Sequence, residues 1–330
     1  MNRRNLLSAG ALATTAAISL HQQWRSSVPF RRKAKSKVAI LKCASYESAH
    51  KVVDEGLRLI EPAVKGKSVL LKPNLVEYSP DTCINTHPTV IAAAADSLYR
   101  LGAAAVVVAE GPGHVRDTEM LIEECGLKKL LKEVGRTRFV DLNFDTPSRV
   151  KTTTSLTTLT ELWLPNTLLS ADVVISMPKI KTHHWAGVTL SLKNLFGVVP
   201  GSVYGWPKNI LHWQGIDNSI VELASTVPIH YVIADGVEAM EGNGPLHGSK
   251  RYLGCLVLAD DPVAADAICC GLMEIPAASV VHLVKADSLG NAIQSKMEVL
   301  GESIADTSQT FAQEHCSESQ IQTTTPPRRV

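Results

Sequence analysis

Residues 172–184 read DVVISMPKIKTHH, a short apolar run, one proline, and then two lysines and two histidines within six positions. A run this short and this apolar, closed by a turn residue, reads as a strand covered on both faces, because a strand with one wet face would alternate. The pattern recurs at VAIL (38–41), SVLL (68–71), AAVVVA (104–109), RFVDL (138–142), HYVIA (230–234) and GCLVLA (254–259). Between these runs lie helical patterns such as SAHKVVDEGLRLIEPAV, THPTVIAAAADSLYRLG and DPVAADAICCGLMEI. In the second, Pro88 suits a first turn and Gly102 a C-terminal cap; in the third, Pro262 marks a helix start with Asp260 or Asp266 as its cap. Strands alternating with helices predict an α/β fold, with a mostly parallel sheet or sheets and flanking helices, in one body or two lobes.

Working outward, the α/β domain is expected over residues 38–302, with sub-lobes 38–145 and 146–302 as an option. The Thr-rich stretch 146–169 reads as a hairpin or a crossover between lobes. From Ser303 the chain turns polar, so 303–330 is expected to be a disordered tail. Residues 1–37 form a leader and basic linker. They hold eight Lys or Arg and no acid, and the apolar stretch Leu6–Leu20 is fifteen residues long. That length suits a signal segment better than a membrane span. Asn2-Arg3-Arg4-Asn5-Leu6-Leu7-Ser8 resembles a twin-arginine export signal, although Ser before the arginines and Phe after them are missing. Export through that machinery, to a periplasmic or membrane-tethered location, is the expectation; an uncleaved tether on a cytoplasmic protein is the alternative.

The whole chain carries +1, but the 25 bases from Val38 onward stand against 32 acids, a body of about −7. An acidic body is a poor partner for nucleic acid, which is excluded as a ligand. The seven cysteines form no C-x-x-C, so neither a disulfide framework nor a ferredoxin-type iron–sulfur site is expected. No G-x-S-x-G elbow supports serine hydrolysis.

Polar residues cluster where apolar runs end. SVLL leads to Lys72-Pro73-Asn74, AAVVVA to Glu110-Gly111-Pro112-Gly113-His114, and HYVIA to Asp235-Gly236. In open parallel sheets the ligand crevice lies at the carboxyl ends of the strands, so these clusters converge on one edge. Side chains alternate along a strand, which puts Lys179, Lys181 and His183 on one side. Cations so close repel unless an anion or acid lies among them. A carboxylate or phosphate ligand meets that need, and so do Glu110, Asp235 or Glu241 as internal partners. Lys193 and Asn194 precede Gly197, where close backbone approach is possible. His183 is the candidate acid/base group and Glu241 a second one, while His184 is expected to bond the backbone. A divalent metal held by His183 with Glu110, Asp235, His87 or His114 is also open. GVEAMEGNGPLHG (236–248) reads as a mobile loop.

Taken in order, the KPN at 72–74, Thr86-His87-Pro88 before an Ala-rich helix, PKIKTHHWAGVTLSLKNLFG (178–197), the EAMEGNGPLHG segment and DPVAADA resemble the uncharacterised family called domain of unknown function 362. The resemblance runs from about Val38 to Leu283. It implies that Lys72, Asn74, Lys179, Lys181, His183, Lys193, Asn194, Asp235, Glu241 and Asp266 share one site. Some relatives carry iron–sulfur segments whose cysteines this chain lacks. Three functions follow: an enzyme acting on a small anionic metabolite by acid/base or metal-assisted chemistry, an exported carrier of such a molecule, or a redox-associated partner protein.

Overall fold

The computed structural model describes residues 33–113 and 117–313. The twin-arginine-like leader, His114 and the final stretch 314–330 lie outside these residues. Twelve strands are present among them: β1 (Ser36–Lys42), β2 (Ser68–Pro73), β3 (Ala105–Glu110), β4 (Arg138–Asp141), β5 (Pro147–Lys151), β6 (Glu161–Pro165), β7 (Val173–Met177), β8 (Lys179–His183), β9 (Gly187–Thr189), β10 (Tyr231–Glu241), β11 (Ser249–Ala259) and β12 (Met297–Gly301). Ten form one sheet in the order β12-β1-β11-β10-β7-β2-β3-β4, with β8 and β9 attached beside the far half of β10. Every pair is parallel except those of β11 with β1 and β10, and that of β8 with β9. The fold is the expected α/β class with a mostly parallel sheet and flanking helices. β11 is reversed because it follows β10 through a direct hairpin, which can only return the chain antiparallel.

The apolar runs are continuous because both faces of the sheet are covered. Alternate residues of β1, β2 and β3 (Ala39, Leu41, Val69, Leu71, Val106, Val108) pack with the helices at Ala49–Ile60, Pro88–Arg100, Thr118–Glu124 and Leu127–Val134. Val38, Ile40 and Leu70 belong to the opposite core, shared with the helices Ile216–Thr226 and Pro262–Leu272 and with the β5–β6 hairpin. That hairpin is the form the Thr-rich stretch takes. Cys269 and Cys270 are buried thiols in the second of those helices.

Pro88 opens its helix, His87 caps it by accepting from Thr89 N, and Gly102 takes a φ of 89°. The helix at Pro262 corrects the sequence reading, since its cap is Asp261 and neither Asp260 nor Asp266. Proline occupies the first helical position, so only the residue just before it has its carboxylate over the free amides. Asp261 accepts from Val263 N at 2.9 Å and Ala264 N at 3.1 Å, and also from Ser36 Oγ at 2.6 Å and Asn291 N at 2.9 Å. Asp260 pairs with Lys33 instead.

Two further expectations change. The segment read as a loop at 236–248 is strand as far as Glu241, and only 242–248 connects β10 to β11. Residues 303–313, expected in a disordered tail, dock on the body. Gln309 N and Phe311 N donate to Leu272 O and Met273 O, and the Phe311 ring is buried. The buried ring and these backbone bonds, with Ile304 packed against the core, together hold an otherwise polar stretch.

Asp261→Ala removes a helix cap and leaves Ser36 and Asn291 short of an acceptor, so it is expected to cost about 3 kcal/mol. Urea unfolding of the two proteins measures this, and an unchanged midpoint would count against the assignment.

Candidate functional site

β7 and β8 are one strand interrupted at Pro178, whose carbonyl accepts Asp235 N at 2.9 Å. β10 pairs with β7 over its first residues and then with β8, with a register shift between Asp235 and Met240. This divergence separates the lysines of the PKIKTH segment. Lys179 donates to Asp235 Oδ2 at 2.6 Å, to Tyr46 OH at 3.0 Å and to Glu238 O at 3.0 Å. Lys181 continues into a cleft of about 350 Å³, together with His183, Asn74, Glu110, Lys193 and Asn194. Six of the expected site residues therefore line it: Asn74 and Glu110 at the carboxyl ends of β2 and β3, Lys181 and His183 on β8, and Lys193 and Asn194 in the turn at 193–198.

Beneath the cleft lies a buried ion pair. Lys72 Nζ is 2.5 Å from Glu110 Oε2, 2.9 Å from Pro73 O and 3.2 Å from Asn194 Oδ1. Glu110 also accepts Leu75 N at 3.1 Å and Gly111 N at 2.8 Å. Asn194 Nδ2 returns to Lys72 O at 2.9 Å and Ser176 Oγ at 3.1 Å. The short helical turn at 193–198 is pressed so closely on this pair that a Cβ at Gly197 would stand 1.7 Å from Glu110 Oε1 and 2.6 Å from Lys72 Nζ. Asp266, reaching up from its helix, accepts Ser191 N at 2.8 Å, Ser191 Oγ at 2.6 Å and Leu192 N at 3.0 Å. It holds the backbone that presents Lys193 and does not line the cleft.

Other expected residues fall elsewhere. Glu241 lies outside the cleft, 3.7 Å from Arg251 and accepting Ala312 N at 3.0 Å. It belongs to the outer end of the long β10–β11 hairpin, which carries it away from the strand ends. Asp235 is spent on Lys179 and on His87 N, and His87 stacks on Tyr46 with centroids 3.5 Å apart. His184 Nδ1 lies 2.6 Å from Gly244 O, the backbone bond expected of it. Among the described residues no three His, Cys, Asp or Glu are grouped so as to hold a metal.

Lys208 is the cleft residue that sequence reasoning missed. It sits in an irregular turn with a φ of 66°, almost wholly buried, and donates to Gly111 O at 2.7 Å and Phe196 O at 3.5 Å. No periodicity or motif marks WPKN. Trp185 and Phe196 both meet the His212 ring edge-on, giving the cleft an aromatic wall.

Burial pushes the amines of Lys181, Lys193 and Lys208 down to about 7. For Lys181 the cations of Lys193 and Lys179 add to the effect, and for Lys193 those of Lys72 and Lys208; Glu110 offsets part of it at Lys208. Burial, then Lys193, holds His183 well below its ordinary value. Its Nδ1 accepts Trp185 N at 3.1 Å and Ala186 N at 3.3 Å, so the neutral ring carries its proton on Nε2. His183 is expected as an acid/base group; in this geometry its Nδ1 is taken up by backbone amides and its Nε2–H is left to donate. Asn74 Oδ1 and Thr189 Oγ1, both from lining residues, are buried with no hydrogen-bond partner among the described residues.

These features define a class, an α/β protein with a lysine-lined cleft at the carboxyl ends of its parallel strands. The chain belongs to the family described as domain of unknown function (DUF362), whose pattern matches residues 69–271. It is 30% identical over 268 residues to the thylakoid-associated protein sll1697 of Synechocystis sp., across 77% of this chain and 79% of that protein. Among solved structures, the lactate racemase apoprotein from Thermoanaerobacterium thermosaccharolyticum is similar at a TM-score of 0.41 and 12% identity, covering 63% of this chain and 51% of that one. This chain thus matches about half the length of that racemase. A protein from Thermotoga maritima gives the same TM-score and identity, over 69% of this chain and 59% of its own.

Gly197→Ala drives a methyl group into the ion pair and is expected to lower stability by about 3 kcal/mol or prevent folding, read as soluble yield and thermal midpoint. A second expectation concerns pH. Between pH 7 and 8.5 the unfolded chain keeps its lysines protonated, whereas Lys181, Lys193 and Lys208 give up protons in the folded state. The unfolded state then binds more protons, so stability of the ligand-free protein rises with pH across this window. Lys193→Met should flatten that rise; a flat wild-type profile would remove its basis.

Proposed function

We propose that the cleft binds a small carboxylate- or phosphate-bearing metabolite and acts on it by acid/base chemistry. One observation carries this reading: Lys181, Lys193, Lys208 and the donor ring of His183 meet in a cleft whose one lining carboxylate among the described residues, Glu110, is already engaged by Lys72. Like charges so arranged oppose one another, and a bound anion relieves the repulsion and draws the amines back to their charged forms. Lys181 and Lys208 are fixed by backbone carbonyls and suit the anion clamp. Asn74 and Thr189 offer neutral polar contacts, and His183 offers its Nε2–H to a ligand oxygen. Lys193 is then the group able to take or give a proton near neutrality. Glu241 has no part in this scheme, since it lies outside the cleft.

The twin-arginine-like leader favours a second reading, an exported carrier using the same pocket, in which the ligand is recovered unaltered. A membrane-associated or exported location agrees with that leader and with the thylakoid association of the relative.

Calorimetry with inorganic phosphate and a panel of small carboxylates tests the anion site. Binding should be tighter at pH 6.5 than at 8.5 and should take up protons near pH 7, seen as heats that differ between buffers. Loss of one charge-assisted contact costs about 1.5–3 kcal/mol, so Lys193→Ala should weaken binding roughly ten- to a hundredfold. Equal affinity in the variant, or no anion binding at all, would sink the proposal.

A further inference from the structure

We propose that Lys193 is a nucleophile that forms an imine with the carbonyl carbon of an anionic ligand, an aldehyde or 2-oxo acid bearing a carboxylate or phosphate. This deepens the anion-site reading and rests on it.

The geometry singles out Lys193 among the five lysines gathered at the strand ends. An ammonium or amine nitrogen that donates to acceptors is held in place by them and is not free to approach a ligand. Lys72 has Glu110, Pro73 O and Asn194. Lys179 has Asp235, Tyr46 and Glu238 O. Lys181 has Ile84 O and Pro245 O, and Lys208 has Gly111 O and Phe196 O. Lys193 Nζ has no hydrogen-bond or ion-pair partner among the described residues; it lies 3.6 Å from the centroid of the Phe196 ring, which offers no directed acceptor.

The groups around it reinforce the difference. Lys72 from β2, Lys208 from its turn and Lys181 from β8 bring positive charge to this region, and His183 from β8 brings a neutral ring. Glu110 from β3 is the opposing acid, and its oxygens are shared among Lys72, Leu75 N and Gly111 N. The ring face attracts a cation, but burial and two neighbouring cations outweigh it, and burial pushes this amine down to about 7. A neutral amine on an apolar face beside other cations is the arrangement that activates lysine toward carbonyls.

The step balances without an oxidant or reductant. The Lys193 lone pair forms an N–C bond to the carbonyl carbon as the C=O π bond breaks, and the oxygen takes the proton that the nitrogen gives up, to give a neutral carbinolamine. Loss of that oxygen as water, with one proton drawn from solvent, leaves the protonated imine. The positive charge so formed faces the ligand's own anionic group, clamped by Lys181 and Lys208. An iminium also acidifies the adjacent C–H bond, which gives the acid/base chemistry of the cleft something to act on.

The test uses full-length protein at pH 7.5 with equimolar pyridoxal 5′-phosphate, and separately with pyruvate, each followed by borohydride. Intact mass and peptide mapping locate the adduct, with Lys193→Met and Lys193→Arg as variants checked for folding by circular dichroism. We expect one adduct per chain from at least one probe, on the peptide holding Lys193, at least tenfold reduced in both variants and slowed by added phosphate. Label spread over surface lysines, or retained in the variants, overturns the proposal. Phosphate binding by calorimetry without any trapped adduct overturns the imine and leaves the anion site standing; loss of both overturns both.

Discussion

The site depends on the buried contact between Lys72 and Glu110. Two charges removed from water are costly unless their geometry is good and the remaining donors and acceptors are filled. Here the pair meets at 2.5 Å, with Asn194, Pro73 O and the amides of Leu75 and Gly111 completing it. Those partners come from the ends of β2 and β3 and from the turn at 193–198, so the pair ties together three segments distant in sequence. It also forces the absence of a side chain at Gly197.

A consequence is electrostatic. By occupying Glu110, the pair removes the counter-charge that the other cleft lysines would otherwise use. A parallel separation occurs at the start of β8, where Asp235 pairs with Lys179 and holds it outside the cleft lining. Lysines that look equivalent in the PKIKTH segment thus differ: Lys179 is ion-paired with Asp235, and Lys181 lines the cleft. The dividing feature is the register shift in β10, which lets one strand pair with β7 and then with β8 while diverging between them.

Support for the cleft extends outward through side chains that never reach it. Asp266 accepts the amides of Ser191 and Leu192, so the helix at Pro262 fixes the backbone just before Lys193 and Asn194. Burial with these donors in place pushes Asp266 up to about 7, showing how far the low-dielectric interior competes with hydrogen bonding even at a well-furnished carboxylate. Positioning groups of this kind determine whether a reactive amine is held in one geometry or many.

Sequence by itself determined the α/β class, the mostly parallel sheet and the helix starts at Pro88 and Pro262, and it placed Asn74, Glu110, Lys181 and His183 just beyond apolar strand runs, while the family resemblance added Lys193 and Asn194. It could do so because hydrophobic period and turn residues are local signals, and because parallel strands send their carboxyl ends to one edge. Only the tertiary structure decided which charges neutralise one another. Lys179 with Asp235, Lys72 with Glu110 and the exclusion of Glu241 depend on strand order, register and hairpin length, none of which is written in any one segment. Lys208 shows the same limit: an unremarkable turn residue became a buried cation because its backbone was folded over Gly111 and Phe196. The family resemblance grouped ten residues in one site, and three-dimensional packing divided them between a cleft, the residues that support it, the separate Lys179–Asp235 pair and an unrelated hairpin end.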